Sequence, residues 1–138
     1  REALMQPTST QYRLCQHARD YRLCHALEKA VDDASTPLQF PTVYAVRDGV
    51  ILGFLGTLKA KNDILAGPLV LDPTQKPPAL VAMRLVEAYE RVLSTAGVSC
   101  YIFGIDRGNE SWKALVEKRG FTPYASNEAG TWYIRKVA

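Results

Sequence analysis

The chain has 138 residues, with 17 Lys and Arg against 14 Asp and Glu, and 47% of its residues are hydrophobic. This length suffices for one compact α/β domain and is too short for two ordinary ones, so we expect a single domain over 1–138. The basic residues are spread along the chain without a block that could follow a nucleic-acid backbone, which argues against nucleic acid as a partner. The sequence has no apolar run long enough for a membrane span and no signal-peptide core, so we expect no membrane association and a cytoplasmic location.

The cysteines favour no disulfide framework and no metal site. Cys15, Cys24 and Cys100 are an odd and scattered set. His17 and His25 lie near the first two, but the spacing lacks the two-residue separation of a zinc knuckle. We therefore expect reduced thiols and no bound metal.

The first part of the chain predicts a strand, a helix and a hairpin. Alternation from Tyr12 to Cys15 indicates a strand, and helical spacing after Asp20, taken as the N-cap, indicates a helix. The apolar runs from Thr42 to Val46 and from Val50 to Leu55 flank Asp48-Gly49, which is typical of a tight hairpin turn.

The middle of the chain predicts two strands around the main helix. Ile64 to Leu71 has strand character interrupted by Gly67-Pro68, and a proline there requires a bulge or an unpaired position. Apolar residues at helical spacing indicate a helix from Pro77 to Thr95. Val98 to Ile105 is apolar at nearly every position, so we expect a central strand that is buried on both faces.

The last part predicts a short helix and a second hairpin. Asn109 can open the helix, and Gly120 can end it in the left-handed conformation. Thr122 to Ala125 and Thr131 to Val137 flank a polar loop and indicate two antiparallel strands. The predicted order is βα, ββ, β, α, β, α, ββ.

The segment from Asn109 to Phe121 resembles the end of the Gcn5-related N-acetyltransferase (GNAT) family, in which an Asn opens a short helix, a Tyr follows seven residues later, and Gly-Phe comes next. Asn109, Gly120 and Phe121 match, whereas Val116 stands at the Tyr position. The element order is also similar along nearly the whole chain. The resemblance implies a GNAT-like α/β fold: a mixed, mostly antiparallel central sheet flanked by helices, with splayed central strands that form an acyl-CoA wedge.

The same resemblance implies a site for acetyl-CoA as co-substrate. In the family, a strand similar to Leu69 to Pro73 leads to a loop with an Arg or Gln and glycines, whose bare N–H groups bind the pyrophosphate at a helix N-terminus. The Arg or Gln position falls on Lys76 and the glycines fall around Ala79, while Pro77 and Pro78 have no N–H to offer. The implied cofactor contacts are the backbone of Leu69 and Leu71, then Lys76, Ala79, Leu80 and Val81, and finally Asn109 and Ser111. For Asn109, helix capping is the alternative role.

The sequence assigns no catalytic acid or base. Val116 cannot donate a proton, and the place of the family's frequent Glu falls near Leu65, with Asp63 close by. Asp106 is a candidate for facing the cleft or for forming a turn. Three tyrosines are alternative acids or simply half-buried aromatics: Tyr44, Tyr101 and Tyr124.

Two functions are compatible with these patterns. The first is transfer of an acetyl group from acetyl-CoA to a primary amine on a small molecule or a protein. The alternative is a domain of the same fold without turnover, which serves as an acyl-CoA-binding, protein-interaction or structural module, and the absent Tyr and glycines favour it. A homodimer formed through an edge contact of Trp132, Tyr133 and Ile134 is a further hypothesis, and packing of these residues in the core is the simpler alternative.

Overall fold

The computed structural model describes residues 9–58, 62–75 and 78–137. Its elements follow one another in the order that the sequence predicts. They are β1 (Gln11–Leu14), α1 (Ala18–Asp32), β2 (Gln39–Arg47), β3 (Val50–Leu58), β4 (Leu65–Leu71), α2 (Pro78–Thr95), β5 (Cys100–Asp106), α3 (Glu110–Lys118), β6 (Thr122–Ser126) and β7 (Gly130–Lys136). In these ranges no helix combines the length and the apolar character that crossing a membrane requires.

The seven strands form one sheet in the order β1-β2-β3-β4-β5-β7-β6. Every neighbouring pair is antiparallel except β4 with β5, so the predicted mixed, mostly antiparallel sheet is confirmed. The hypothesis of an edge contact through Trp132–Ile134 is wrong, because β7 pairs with β5 on one side and with β6 on the other, and Tyr133 lies in the core as the alternative predicts. The outer strands are β1 and β6.

The helices cover the two faces of the sheet unequally. Alternate strand residues point to opposite faces, so Leu55 belongs to the cluster packed by α2, and Phe54 belongs to the cluster packed by α1. The side chains of α3 join the α2 cluster through Val116. On the other face, α1 packs mainly over β3 and β4, and Gly104 and Asp106 of β5, which point to this face, are exposed.

The start of α1 differs from the sequence prediction. His17 is the N-cap, and Asp20 is the third residue after it. The Asp20 carboxylate accepts the N–H groups of Gln16 at 2.9 Å and His17 at 3.1 Å, which is the returning half of a capping box. These bonds hold the pKa of Asp20 below its usual range, with the Gln16 bond as the largest cause. The prediction of Asp20 as N-cap is therefore wrong by three positions.

The strand β5 is central, as predicted, but it is buried on one face only. Phe103 and Ile105 lie in the core under α2, while Gly104 and Asp106 are exposed on the other face. Burial on both faces was the wrong expectation, because α1 packs mainly over β3 and β4 and leaves Gly104 and Asp106 exposed. An apolar run indicates an interior strand without showing which faces are covered.

The predicted interruption of β4 at Gly67-Pro68 is a bulge. Leu55 pairs with Leu69 and Thr57 pairs with Ala66, so two residues of β4 lie opposite the single Gly56 of β3. Gly67 has a φ of 146°, a conformation that side-chain-bearing residues rarely adopt. The bulge bends β4 at the point where it leaves β5.

Candidate functional site

A cleft opens where β4 and β5 separate. These parallel strands pair at Leu65 with Ile102 and at Ala66 with Phe103, and the pairing ends there. Beyond the bulge they diverge around a cavity of about 520 Å³. Its lining comes from the two strands and from the neighbouring elements: Asp32, Leu58, Leu65, Ala66, Gly67, Pro68, Leu69, Leu71, Phe103, Gly104, Ile105, Asp106, Asn109, Trp112, Ala129, Gly130 and Trp132.

One wall of the cleft is a strand edge with available backbone groups. The Asp72 N–H donates to the Leu52 carbonyl at 2.9 Å. This bond shows which residue pairs of the antiparallel strands β3 and β4 are hydrogen-bonded to each other. Hydrogen-bonded residues alternate in such a ladder, so Val70 is turned towards β3, and Leu69 and Leu71 are turned towards the cleft. The N–H and C=O groups of Leu69 and Leu71 are therefore placed to pair with an extended ligand.

The opposite wall has the same property. The Arg107 N–H donates to the Ala129 carbonyl at 2.8 Å, so the alternating ladder with β7 turns the backbone groups of Gly104 and Asp106 towards β4. The cleft thus lies between two strand edges, much as a missing strand would. An extended chain can bind there through backbone hydrogen bonds that depend little on side-chain identity.

The cleft reaches both faces of the sheet. Leu69 and Leu71 pack towards the α2 side, where the helix α3 contributes Trp112. Gly104 and Asp106 alternate with the buried Phe103 and Ile105, so they lie on the α1 side. Ligands can therefore approach the splayed strands from two directions.

The α1 side of the cleft has an indole as its floor. Trp132 of β7 is the direct partner of Gly104, and directly paired residues share one face of a sheet. A Cβ at position 104 would lie 3.2 Å from Trp132 Nε1 and 3.5 Å from Cδ1, so the absence of a side chain at Gly104 is what leaves space for the ring. Asp32, the last residue of α1, and Asp106 complete this side.

The predicted pyrophosphate-binding residues fall at the first turn of α2. Ala79 and Leu80 are its second and third residues, whose N–H groups precede the first bond within the helix, and both are exposed. Val81 is the fourth residue, and its side chain is buried. Lys76 lies outside the described residues. None of the three described residues borders the cleft itself, although α2 follows β4 directly in the chain.

Of the two predicted polar contacts, the structure brings one to the cleft. Asn109 lines the cavity. It occupies the N-cap position of α3 but makes no side-chain capping bond, so the alternative of a side-chain cap is wrong. With φ at −94° and ψ at 61°, its backbone departs from the extended N-cap conformation that turns the side chain towards the first N–H groups. Ser111 is exposed on α3 and is not among the lining residues.

The position of the family's Tyr holds a core residue. Val116 is 2% exposed and packs with the α2 cluster, as its helical spacing predicts. Leu65 lines the cleft with an aliphatic side chain where a Glu was sought, and Asp63 is exposed before β4 begins. Asp106 both lines the cleft and forms a turn, because its carbonyl accepts the Asn109 N–H at 3.2 Å.

The three candidate tyrosines lie away from the cleft. The Tyr44 hydroxyl donates to Asp20 at 3.1 Å, and the Tyr101 hydroxyl donates to Glu90 at 2.6 Å. Burial raises the pKa of both phenols. Tyr124 is 54% exposed on the edge strand β6. These positions favour structural roles over proton donation in the cleft.

The loop after β4 is held by a local hydrogen-bond cluster. Asp72 accepts the Thr74 N–H at 2.9 Å and the Thr74 hydroxyl at 2.8 Å. These bonds, with the backbone bond as the larger cause, hold the pKa of Asp72 below its usual range. The carboxylate therefore stays ionised and shapes the exit from β4 towards α2.

Sequence reasoning missed most of the α1 side of the cleft. Gly104 carried a usable signal, because a glycine inside an apolar strand often marks a close approach of a ligand or of another chain segment. Trp132 and Asp32 carried none, since their relation to Gly104 depends on the strand order β5-β7 and on the end of α1.

The structure is similar to solved acetyltransferases. Aminoglycoside 6'-acetyltransferase type Ii matches with a TM-score of 0.75 and 14% identity over 93% of this chain and 97% of that chain. The ribosomal-protein-S18-alanine N-acetyltransferase from Escherichia coli matches with a TM-score of 0.72 and 13% identity over 94% and 95%. PaiA N-acetyltransferase from Thermoplasma acidophilum, in complex with coenzyme A, matches with a TM-score of 0.70 and 13% identity over 93% and 99%.

No protein-family model matches the sequence, and no curated protein matches it. The structural matches cover nearly the whole of each chain, so the likeness concerns the complete fold rather than one motif. The chain therefore has the N-acetyltransferase fold that the sequence resemblance implies.

Proposed function

We propose that this chain binds acetyl-CoA in the cleft between β4 and β5 and transfers the acetyl group to a primary amine. The observation that carries the proposal is the pair of strand edges, Leu69 and Leu71 on one wall and Gly104 and Asp106 on the other, which face each other across an open cavity. The fold shared with acetyltransferases, one of them in complex with coenzyme A, supports the same ligand class.

The residues present fit the extended part of such a donor. A pantetheine arm carries amide groups in an extended chain, which can pair with the backbone of Leu69 and Leu71. Leu71, Trp112 and Phe103 offer apolar surface in the same cleft. The wedge can therefore hold the arm without any particular charged side chain.

The first turn of α2 fits an anion. Ala79 and Leu80 are exposed residues, and their N–H groups lie at the positive end of the helix dipole. Pro78 contributes no N–H, so this end offers fewer donors than a glycine-containing turn would. We expect a pyrophosphate to bind there with help from Lys76, because a lysine side chain carries a positive charge.

The transfer step needs orientation more than a specialised acid. The amine nitrogen forms a bond to the thioester carbonyl carbon, the C–S bond breaks, the nitrogen loses a proton, and the sulfur leaves as a thiolate that water can protonate. Asp106 lies in the cleft, where it can accept the amine proton or pass it to water. Holding both reactants at the splayed strands supplies the rest of the rate enhancement through proximity and orientation.

The alternative function is a binding module without turnover. The core position of Val116 and the lining position of Leu65 favour it, because neither can move a proton where the family often uses Tyr and Glu. The enzyme and an acyl-CoA-binding module both predict that acyl-CoA binds in the cleft, whereas a protein-interaction or structural module does not. The first two differ in whether an amine is acetylated.

Calorimetric titration with acetyl-CoA and with CoA tests the proposal, using the wild type and two variants at the start of α2. We expect Pro78→Ala, which adds an N–H donor, to lower Kd about threefold, and Lys76→Glu to raise it about fivefold. Arg22→Glu is the matched charge control, because Arg22 is exposed on α1 on the opposite face of the sheet. Its Kd should equal that of the wild type.

Binding followed by acetylation of a primary amine supports the enzyme. Binding without acetylation of any amine in a broad screen supports the module. If the folded wild type binds neither acetyl-CoA nor CoA at millimolar concentration, the enzyme and the acyl-CoA-binding module are both wrong, and the protein-interaction or structural module is left.

A further inference from the structure

We propose that the outer edge of β1, with a groove on either side of it, binds an extended segment of a partner protein in which acidic and apolar residues alternate. The segment adds to the sheet as a further strand beside β1. This surface is separate from the cleft, because β2 and β3 lie between β1 and the cleft strand β4. The residues that line the two grooves do not line the cleft.

The outer edge of β1 carries backbone groups that a further strand can use. Among the described strands, β1 has β2 on one side and no neighbour on the other. The Cys15 N–H donates to the Thr42 carbonyl at 2.8 Å, so Cys15 and, two residues earlier, Arg13 are turned towards β2. Tyr12 and Leu14 alternate with them, and their N–H and C=O groups are therefore turned outwards. An added strand pairs with such groups whatever its side chains are.

On the α2 side, the edge of β1 borders an apolar groove, a cavity of about 430 Å³ whose lining includes Tyr12, Leu14, Phe40 and Val92. Tyr12 and Leu14 pack against the α2 cluster, and Val92 belongs to α2 itself. Phe40 of β2 is 55% exposed, so much of its ring is open to a ligand. An apolar side chain that enters this groove is removed from water against apolar walls, which favours binding.

On the α1 side, the same edge borders a basic groove, a cavity of about 730 Å³ whose lining includes Arg13, His17, Arg19 and Arg22. Arg13 pairs directly with Tyr44, which belongs to the α1 cluster, so its side chain lies on the α1 face of the sheet. The three arginines are exposed. Within residues 9–58, 62–75 and 78–137, none of them is part of an ion pair.

One carboxylate lies in the basic groove, and its oxygens are already bonded. Asp20 is 8% exposed and accepts the N–H groups of Gln16 and His17 and the hydroxyl of Tyr44. The groove therefore keeps an excess of positive charge from its three arginines, to which the N-terminal end of α1 adds partial positive charge. Acidic side chains complement this charge.

The two grooves set the pattern of the partner. They lie on opposite faces of the sheet, so the side chains of an added strand enter them alternately. Residues that face α2 meet Phe40 and Val92 and should be apolar, whereas residues that face α1 meet the arginines and should be acidic. A second copy of the chain fits less well. Two β1 strands paired about a two-fold axis perpendicular to the sheet would place both Arg13 side chains on one face, where like charges repel.

A binding experiment with a designed peptide tests the inference without relying on catalysis. The probe is Glu-Leu-Glu-Phe-Glu-Leu-Glu, blocked at both ends, and its counterpart has lysine in place of every glutamate. Binding to the full chain is followed by ¹H–¹⁵N NMR at the amides of Tyr12 and Leu14, with the Gly104 amide as the reporter of the cleft. We expect the glutamate peptide to bind about tenfold more tightly than the lysine peptide. It should slow amide exchange at Tyr12 and Leu14 more than at Arg13, whose N–H faces β2.

Variants of each groove have matched controls at the far end of the sheet. Phe40→Ala should weaken binding of the glutamate peptide about fivefold, and Phe40→Leu about twofold. Tyr124→Ala removes a ring that is 54% exposed on the other outer strand, β6, and should leave binding unchanged. Arg19→Glu should weaken binding about fivefold, whereas Arg119→Glu, the same charge change at the exposed end of α3, should not. The NMR spectrum of each variant reports its fold, and Phe40→Leu retains the test if the Ala variant unfolds.

N-methylated peptides test strand addition itself. In an added strand, alternate N–H groups point to β1 and the others point to solvent. One form of the probe is methylated at the nitrogens of its glutamates, and a second form at the nitrogens of its leucines and phenylalanine. We expect their Kd values to differ about tenfold or more, because only one set of nitrogens faces β1. Equal loss of binding in both forms contradicts strand addition.

Three further results overturn the inference. The first is equal binding of the glutamate and lysine peptides, and the second is binding that Phe40→Ala and Arg19→Glu leave unchanged. The third is a chemical shift change at Gly104 without one at Tyr12 and Leu14, which would place the peptide in the cleft. Shifts at Tyr12 and Leu14 that depend on protein concentration without peptide would assign the edge to a second copy and would also overturn it.

Discussion

Trp132 and Gly104 form a cross-strand pair in which the indole occupies the space that a side chain at position 104 would fill. The pair sets the shape of the cleft on the α1 side, because a larger residue on β5 would displace the ring. It also links β7 to the splayed edge of β5. A single glycine thereby connects the packing of the sheet with the size of the candidate site.

Adding a side chain at Gly104 should disturb this pair in proportion to its size. A Cβ would lie 3.2 Å from Trp132 Nε1, so Gly104→Ala requires only a small shift of the ring. Gly104→Val adds two methyl groups beyond the Cβ and should lower the free energy of unfolding by about 1–3 kcal/mol. Urea unfolding with tryptophan emission measures both effects. Equal stability and unchanged emission in the Val variant would show that the pair is not tightly packed.

Val116 should act as a core residue even though it stands at the family's Tyr position. It is 2% exposed, so Val116→Ala removes buried apolar volume and should cost about 2 kcal/mol of unfolding free energy. Val116→Tyr should also destabilise the fold, by about 1–3 kcal/mol, because the larger ring overpacks the core. Chemical denaturation of both variants is the measurement. A Tyr variant as stable as the wild type would indicate room for a phenol and would contradict this packing.

Buried tyrosines should make the fold sensitive to alkaline pH. Burial raises the pKa of Tyr89 to about 12, and burial with a nearby glutamate also raises the pKa of Tyr101 and Tyr133. Because the folded state favours the protonated phenol, stability is full below about pH 10, the ordinary phenol pKa, and is lost as pH rises through about 12. For Tyr89, the difference between the folded pKa of about 12 and the ordinary phenol pKa corresponds to about 2–3 kcal/mol.

The pH dependence of the unfolding midpoint between pH 9 and 12 tests this prediction. Tyr89→Phe should reduce the loss of stability at alkaline pH, although it also removes the hydrogen bond of 2.5 Å between Tyr89 and Thr57. Tyr124→Phe is the control, because Tyr124 is 54% exposed, and its curve should coincide with that of the wild type. If the unfolding midpoint of Tyr89→Phe falls with pH as steeply as that of the wild type, other groups cause the loss of stability at alkaline pH.

The Asp20 carboxylate should stabilise the start of α1. It accepts two backbone N–H groups and the Tyr44 hydroxyl, and these bonds lower its pKa. Its contribution is therefore present above its unfolded pKa, near 4, and is lost as pH falls through the lower folded value. Asp20→Ala should cost about 1–3 kcal/mol at pH 7, because it leaves two partly buried N–H groups and the buried Tyr44 hydroxyl without a partner.

The control for Asp20 is Asp33, the C-cap residue at the other end of the same helix. Asp33 pairs with Lys29 at the surface, where an ion pair contributes little, so Asp33→Asn should change the unfolding free energy by less than about 1 kcal/mol. Both variants are compared by denaturant unfolding at pH 7 and pH 3. An Asp20→Ala variant that matches the wild type at pH 7 would contradict the capping role.

The elements could be predicted from the sequence because their signals are local. Asp48-Gly49 indicated a hairpin, Gly67-Pro68 indicated a bulge, and Gly120 indicated the end of α3, each through a backbone conformation that few other residues adopt. The helix start was misplaced, because Asp20 can serve either as the cap or as the third residue of a capping box.

The candidate site could be predicted only on one side. Leu69 and Leu71 follow from the bulge in their own strand, and the structure places their backbone groups towards the cleft. The other side depends on long-range relations, since Trp132 reaches Gly104 only through the pairing of β7 with β5. The hydrophobic pattern within one β-strand does not show which face of the strand a helix covers, as the one-sided burial of β5 illustrates.

The most direct test of the donor site is amide hydrogen exchange by NMR with and without acetyl-CoA. Leu69 and Leu71 have N–H groups that face the cleft, whereas the Val70 N–H faces β3 and serves as an internal reference. We predict that saturating acetyl-CoA slows exchange at Leu69 and Leu71 about tenfold or more, beyond any change at Val70. If acetyl-CoA binds and leaves exchange at Leu69 and Leu71 unchanged, the donor does not pair with this strand edge and the account of the cleft is wrong.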